Sequence, residues 1–491
     1  MNFGLISRLL GVIVFTLALA FFICFGVGFA PSPIEWEAEA REGFLLCAGV
    51  AVALSAVLFF FGRNCSLRLH RKEALCVIGV GWLLASAVGA LPYVIIDAEV
   101  GLVDGFFESA SGLTTTGASI YGNVEILPRC LLFWRGLSQW LGGMGVVVFF
   151  VAILGFLGAG AKILYSNEAS GSTTDFEHSR VQSAVLNLWL VYLGLSAACV
   201  GVFVAGGMSL FDATSHMFTA LSTGGFSTRN ASFAAFESPF LEWAASFFMT
   251  LGGCSFVLLA MALRGRFGAM KRNTELRAYL LFVVCASLAI TPVLLTSGFS
   301  EDWHEALRTA VFQVVSIMTT TGFASADFDL WPAFSKLLLL ALMVIGGCSG
   351  STAGGVKVAR VVVAFRVVLR SVELEFRPHV IRRIQMNKKP IETATINEVM
   401  VFLVLAAMLC MISIPLAAVF EPSLSLEAAI SAVFACLFNI GPGFAEVGPT
   451  RNFGFLHDYT KVFLSLLMIM GRLELYAILV LFSPALWRLF R

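Results

Sequence analysis

Apolar residues along this chain gather into long runs separated by short polar connections. The runs fall at about 6–30, 43–62, 74–97, 130–158, 183–205, 240–263, 276–298, 334–371, 397–420 and 460–489. An α-helix rises about 1.5 Å per residue, so about 20 apolar residues cover the ~30 Å hydrocarbon core of a bilayer. The pattern predicts about ten transmembrane helices. Four shorter, half-apolar stretches lie between them, at 103–115, 210–222, 304–319 and 425–438. They are too short and too polar to cross, and they read as re-entrant helices. The first run, from about Leu9 to Ala30, follows Arg8 in the manner of a signal peptide. It is long enough to span and has no clear small-x-small cleavage site, so it reads as a helix.

Composition agrees. Of 491 residues, 58% are hydrophobic and only 13% charged, about half the usual ~25% of a soluble domain. Mean hydropathy is +0.89. The expected class is an all-α membrane protein whose main partner is the lipid bilayer. A net charge of +1 gives no reason to expect nucleic acid. The eleven Cys lie mostly inside apolar runs (Cys24, Cys47, Cys199, Cys285, Cys410, Cys436), with no CxxC spacing. They read as small buried hydrophobes.

Charge asymmetry orients the bundle. Basic connections carry Arg63, Arg68, Arg71 and Lys72, then Arg264, Arg266, Lys271, Arg272 and Arg277, then Arg377, Arg382, Arg383, Lys388 and Lys389. They alternate with acidic ones: Glu35, Glu37, Glu39 and Glu42, then Glu301, Asp302 and Glu305. With ten spans, both termini fall on the cytoplasmic side. The longest polar stretches, about 165–180 and 372–396, are too short to fold alone.

A short element recurs four times, each time just after a re-entrant stretch. It reads Thr114-Thr115-Thr116-Gly117-Ala118-Ser119, Ser222-Thr223-Gly224-Gly225-Phe226-Ser227, Thr319-Thr320-Thr321-Gly322-Phe323-Ala324 and Asn439-Ile440-Gly441-Pro442-Gly443-Phe444. Gly117, Gly225, Gly322 and Gly441 stand 108, 97 and 119 residues apart. Each interval holds a span, a half-helix, the glycine element and another span. This divides the chain into an N-terminal helix pair (1–73) and four units, 74–160, 161–265, 266–390 and 391–491. Non-helical backbone at membrane depth must be buried by protein or line water. Glycine lets such a chain adopt positive φ and turn its carbonyls inward. Four such segments around one axis give rings of backbone carbonyls that replace the hydration shell of a monovalent cation. The acids near the half-helix starts, Asp104, Asp212, Glu305 and Glu427, suit the positive end of each dipole and leave the negative end for the ion.

The sequence resembles the TrkH/KtrB/HKT superfamily of potassium transporters, and within it the bacterial TrkH family, over nearly its whole length. The resemblance rests on the TTTG elements, on the NxGPG fourth element, on Gln139-Trp140-Leu141-Gly142-Gly143-Met144-Gly145, and on the string from Gly346 to Lys357. It implies four helix–pore loop–helix units around a central pore, plus two extra N-terminal helices. The filter would be Thr115, Thr116 and Gly117 with Thr223, Gly224 and Gly225, then Thr320, Thr321 and Gly322 with Asn439, Ile440 and Gly441, binding K+ through backbone carbonyls. Glycine at 117 favours potassium over sodium. The fourth element departs from the others and leaves both Gly441 and Gly443 open as its filter residue. The resemblance further implies a homodimer in the bacterial inner membrane. No stretch reads as a nucleotide-binding domain, so control would come in trans from a cytosolic TrkA-like NAD- or ATP-binding ring.

The run 334–371 is far longer than one crossing needs. Its middle, Gly346, Gly347, Cys348, Ser349, Gly350, Ser351, Thr352, Ala353, Gly354 and Gly355, cannot make a good helix. It reads either as a glycine-rich packing face or, as the resemblance implies, as an intramembrane gate loop under the filter. A phosphate-binding loop at 350–357 fails, because Val356 follows Gly355 where lysine is needed. Arg472 sits within the last run, where a charge is expensive and marks a cavity or a partner. The open readings are pairing with Glu474 or another acid and, by resemblance, a pore arginine beside the ion path.

An enzyme is not expected. His70, His178, His216, His304, His379 and His457 form no HExxH, and no GxSxG occurs. The rival is an ion-coupled secondary transporter, a K+/H+ or K+/Na+ symporter, with the broken run as its binding site. That architecture predicts halves of opposite topology, whereas the charged loops indicate four units of one orientation.

Overall fold

The computed structural model describes residues 2–31, 33–65, 71–157, 178–380, 383–482 and 484. Arg68, Arg382, most of the polar stretch 165–180, the 160/161 boundary and residues 485–489 of the last run lie outside the described residues. In chain order the helices are α1 (Phe3–Val27), α2 (Glu37–Phe61), α3 (Arg71–Gly89), α4 (Leu91–Ile96), α5 (Leu102–Leu113), α6 (Arg129–Leu157), α7 (His178–Ala205), α8 (Leu210–Leu221), α9 (Pro239–Gly252), α10 (Phe256–Leu263), α11 (Phe267–Arg272), α12 (Thr274–Thr296), α13 (Trp303–Met318), α14 (Ala333–Ile345), α15 (Val358–Phe376), α16 (Thr393–Phe420), α17 (Leu426–Leu437), α18 (Asp458–Arg472) and α19 (Tyr476–Leu481). One two-residue hairpin pairs Gln385 with Pro390 and Met386 with Lys389.

Among the described residues, six helices are long and apolar enough to cross a membrane; a seventh candidate, α9 with α10, is bent by 104°. α1 shows how lipid and protein faces separate. Leu10, Val14, Phe21 and Cys24 are buried at helical spacing, while Phe15, Leu19, Phe22 and Ile23 point outward. An apolar outer face of that kind belongs against lipid. Ser55 on α2 donates to the Gly11 carbonyl on α1 at 2.9 Å.

One packing scheme recurs four times. The short helices α5, α8, α13 and α17 each lie between a preceding helix (α3, α7, α12, α16) and a following one (α6, α9, α14, α18). Each following helix also packs on the next short helix: α6 on α8, α9 on α13, α14 on α17, and α18 back on α5. The last contact closes the set. Side-chain caps start three of the short helices, from Ser209, Asp302 and Ser425, each worth ~1 kcal/mol.

Two breaks differ from the run lengths. The run 240–263 looked continuous, but Gly252-Gly253-Cys254-Ser255 turns it sharply between α9 and α10. The same four residue types, Gly346-Gly347-Cys348-Ser349, end α14. In the last run α18 stops at Arg472, and Glu474 and Leu475 take positive φ of 54° and 66°. Arg472 therefore stands at the end of α18 and not inside a continuous helix.

Candidate functional site

Each short helix ends in the same hydrogen-bonded cap. The residue after the C-cap is left-handed in all four: Thr115 (φ 54°), Thr223 (55°), Thr320 (59°) and Asn439 (58°). The next N–H reaches back to the helix: Thr116 to the Ser111 carbonyl at 2.9 Å, and Gly224 to Thr219, Thr321 to Ser316 and Ile440 to Ala435 at 2.8 Å each. This is a Schellman motif with threonine or asparagine where glycine is usual. The chain then turns again at Gly117 (φ 87°), Gly225 (84°), Gly322 (81°) and Gly441 (99°). Gly443 has no positive φ, so Gly441 is the glycine that makes the fourth turn.

The four turns pack on one another in a closed ring. A Cβ on Gly117 would strike the Gly224 carbonyl oxygen, one on Gly225 that of Thr321, and one on Gly322 that of Ile440. A Cβ on Gly441 would stand 2.6 Å from the carbonyl oxygen of Thr116, back in the first element. Hydroxyls anchor two strands. Thr116 Oγ1 lies 2.7 Å from Thr114 Oγ1 and accepts from Asn439 Nδ2 at 2.9 Å, and Thr321 Oγ1 lies 2.7 Å from Thr319 Oγ1.

The glycine string from 346 to 357 lies against the ends of these helices that face the ring. Thr352 Oγ1 donates to the carbonyl of Leu221, the last residue of α8, at 2.9 Å. The Gly354 N–H donates to Thr320 Oγ1 at 2.7 Å, and the Gly355 N–H to the Phe438 carbonyl at 3.0 Å. Glu275 accepts from the Ser349 and Ala359 N–H groups at 2.6 and 3.2 Å, pinning both sides of the loop to α12.

A family model described as TrkH, cation transport protein, matches residues 44–489. The chain belongs to the TrkH family. It is 34% identical to the Trk system potassium uptake protein TrkH of Halomonas elongata, over 99% of this chain and all of that one. It is 33% identical to the protein of the same name from Escherichia coli, with the same coverage. The crystal structure of the potassium transporter TrkH from Vibrio parahaemolyticus superposes with a TM-score of 0.89, at 30% identity over 99% of this chain and all of that chain. The family is one of transporters, not enzymes, and its members are multi-pass membrane proteins.

In this TrkH-family chain Arg472 does not pair with Glu474. Its Nη1 donates to the Thr352 carbonyl at 2.6 Å and its Nη2 to the Gly142 carbonyl at 3.4 Å, and Nε has no partner among the described residues. Glu474 instead meets Arg360 at 2.5 Å. Lys357 Nζ bonds the Ala353 carbonyl. Two cations thus touch loop carbonyls directly.

Sequence reasoning missed the buried groups behind the ring. Glu108, fully buried on α5, binds Arg135 Nε at 2.9 Å, Ser119 Oγ at 3.0 Å and the Ile120 N–H at 2.9 Å. Arg135 also reaches Ser119 Oγ and the Ser227 carbonyl, and lies over the Phe226 ring. The signal was present as two charges inside apolar stretches, the same cue that singled out Arg472. Three of the four acids at the short-helix starts have cationic partners: Asp104 with Lys461, Asp212 with Arg229 and Glu427 with Lys336. At the rim, Ser425 Oγ donates to Glu446 at 2.7 Å and holds that carboxyl below the ordinary glutamate range.

Proposed function

We propose that this chain is the membrane subunit of a potassium-uptake system, a K+-selective channel. The carrying observation is the closed ring of four glycine turns, each at the carbonyl end of a short helix. Its filter comprises residues 115–117, 223–225, 320–322 and 439–441, whose backbone oxygens replace the ion's water shell. The helix ends aimed at the ring favour a cation there. The names of the similar proteins from Halomonas and Escherichia, potassium uptake proteins, support the choice of ion.

In this reading the loop 346–355 is the gate, and Arg472 sets its resting position. The chain crosses ten times, as units 74–160, 161–265, 266–390 and 391–491 after the helix pair 1–73, with both termini cytoplasmic in a bacterial inner membrane. It works as a homodimer under a cytosolic nucleotide-binding ring. Purified protein in liposomes with opposed K+ and Na+ gradients tests the core claim. A channel gives a reversal potential that follows K+ without an obligatory co-ion; flux that requires H+ or Na+ supports the symporter. A C-terminal reporter active only in the periplasm should stay silent.

A further inference from the structure

The four units share a register beyond the filter. Gly142, Gly252 and Gly471 each lie against the carbonyl of the last residue of their own unit's short helix, Leu113, Leu221 and Leu437. Gly346 opens the same Gly-Gly-Cys-Ser string as Gly252. Three residues before these glycines stand Gln139, Met249, Met343 and Met468, all fully buried. The first unit alone has a polar residue there. The filter triplets show a matching exception. Their middle residues are Thr116, Gly224, Thr321 and Ile440, so the second strand alone has no side chain at that point.

These two exceptions meet. Gln139 Nε2 donates to the Gly224 carbonyl at 2.6 Å, and Gln139 Oε1 accepts from the Phe226 N–H at 3.1 Å. A Cβ at 224 would fall inside 3.0 Å of the Gln139 carboxamide. The missing side chain on one unit makes the room that the long polar side chain of its neighbour fills. Strands one and three are tied at their middle residues by the Thr116 and Thr321 hydroxyls, whereas the middle residue of strand two is Gly224, with no hydroxyl, and the Thr223 hydroxyl one residue earlier turns to the Ser222 carbonyl and to Thr352. A glycine peptide plane without a tether rotates easily. Rotation at 224 would swing one oxygen of the ring and change the number and direction of dipoles that meet the ion.

We infer that Gln139 is the positioning residue of the second filter strand: its carboxamide holds the Gly224 peptide plane in place of the hydroxyl tether of strands one and three, and so sets discrimination between K+ and Na+. This rests on the filter reading above. The test is the K+/Na+ permeability ratio of the full chain in liposomes, with wild type, Q139M, Q139E and the double variant Q139M/G224T. Q139M should accumulate in the membrane, with a ratio lower by about fivefold, the scale of one lost buried hydrogen bond. Q139E, assayed at alkaline pH where its carboxyl is ionised, keeps the acceptor for Phe226 but has no donor for Gly224, and should lose a similar factor. The double variant recreates the methionine–threonine combination of Met249 with Thr321 and Met468 with Thr116, and should recover most of the ratio. A wild-type ratio in Q139E, or a Q139M protein that melts earlier but discriminates as well as wild type, overturns the inference. If Q139M does not accumulate, Q139E decides alone. A wild-type protein that does not distinguish the two ions would instead remove the filter reading itself.

Discussion

Arg472 donates from Nη1 to the carbonyl oxygen of Thr352 across 2.6 Å, joining the end of α18 to the middle of the glycine loop. Thr352 in turn touches the end of α8 and the second filter strand, through the Leu221 carbonyl and Thr223 Oγ1. One guanidinium thus holds the loop against the ring. Arg472→Ala removes both tether and charge, and K+ flux in liposomes should rise several-fold. Arg472→Lys keeps the charge but not the fork of donors, and should fall between. A variant that no longer accumulates would mark Arg472 as a packing residue.

Positive φ makes the four ring glycines sensitive to any side chain. Gly322→Ser and Gly441→Ser each force a strained backbone, at ~1–3 kcal/mol, and drive a Cβ into the Ile440 or Thr116 carbonyl. K+ uptake should fall at least about tenfold in each, and discrimination against Na+ should weaken. Unchanged flux and selectivity in both would take these glycines out of the filter.

The four half-helices were legible almost to the residue: 103–115, 210–222, 304–319 and 425–438 became Leu102–Leu113, Leu210–Leu221, Trp303–Met318 and Leu426–Leu437. Apolar periodicity and a glycine element at each end mark such pieces strongly. The bend between α9 and α10 was not legible from hydropathy, because Gly252-Gly253-Cys254-Ser255 is apolar enough to extend a run. Only its likeness to Gly346-Gly347-Cys348-Ser349 carries the signal. That Gly441 and not Gly443 makes the fourth turn needed backbone angles, since both are glycine. Partners such as Gln139 with Gly224, or Arg472 with Thr352 rather than Glu474, are 85 and 120 residues apart. No local pattern fixes contacts at that range.

Behind the first two filter elements, Glu108 and Arg135 form a nearly fully buried pair. Removing one partner strands the other charge. Arg135→Met should destabilise by about 3–5 kcal/mol, and the double change Glu108→Gln with Arg135→Met by much less. Thermal unfolding in detergent reads both. A loss in the double variant equal to the sum of the losses in Glu108→Gln and Arg135→Met alone would show that the two groups act independently.

The outer rim carries a pH dependence. Burial pushes the Glu421 carboxyl up, but hydrogen bonds from the His457 N–H, Ser423 Oγ and the His457 ring outweigh it and hold the group below its ordinary value of 4.5. A carboxyl depressed in the folded state contributes stability above its unfolded value, and that stability is lost as pH falls through the folded one. The melting temperature should therefore drop below about pH 4.5, and Glu421→Gln should flatten that part of the curve. A Glu421→Gln curve parallel to wild type would assign the loss to other acids.

The glycine loop has a closed neck, which makes its removal a clean test of gating. A Cβ on Gly347 would meet the Ala353 Cβ at 2.6 Å, and one on Gly346 would come within 2.8 Å of the Gly355 Cα. The N–H groups of Val356 and Lys357 donate to the Val344 and Ile345 carbonyls at 3.0 and 2.9 Å, and that of Val358 to the Gly347 carbonyl at 3.0 Å. Deleting residues 348–353 joins Gly347 to Gly354 across a gap that is already short and leaves these neck bonds in place. It removes Thr352 and its bonds to Arg472, Leu221 and Gly252. It also removes the Ser349 N–H that donates to Glu275, while Glu275 keeps the Ala359 N–H. The short helix α8 then loses what lies across its end, while the Gly355 N–H keeps its bond to the Phe438 carbonyl beside α17, and any block made by residues 348–353 goes with them. α15 begins at once after the neck, with Arg360, Arg366 and Arg370 along it, so a cytoplasmic partner that moves α15 moves the loop. The deletion should give high K+ flux in liposomes that no longer responds to a nucleotide-binding partner. A deletion protein that accumulates, conducts no better than the intact chain and still obeys the partner's nucleotide would exclude the loop as the gate.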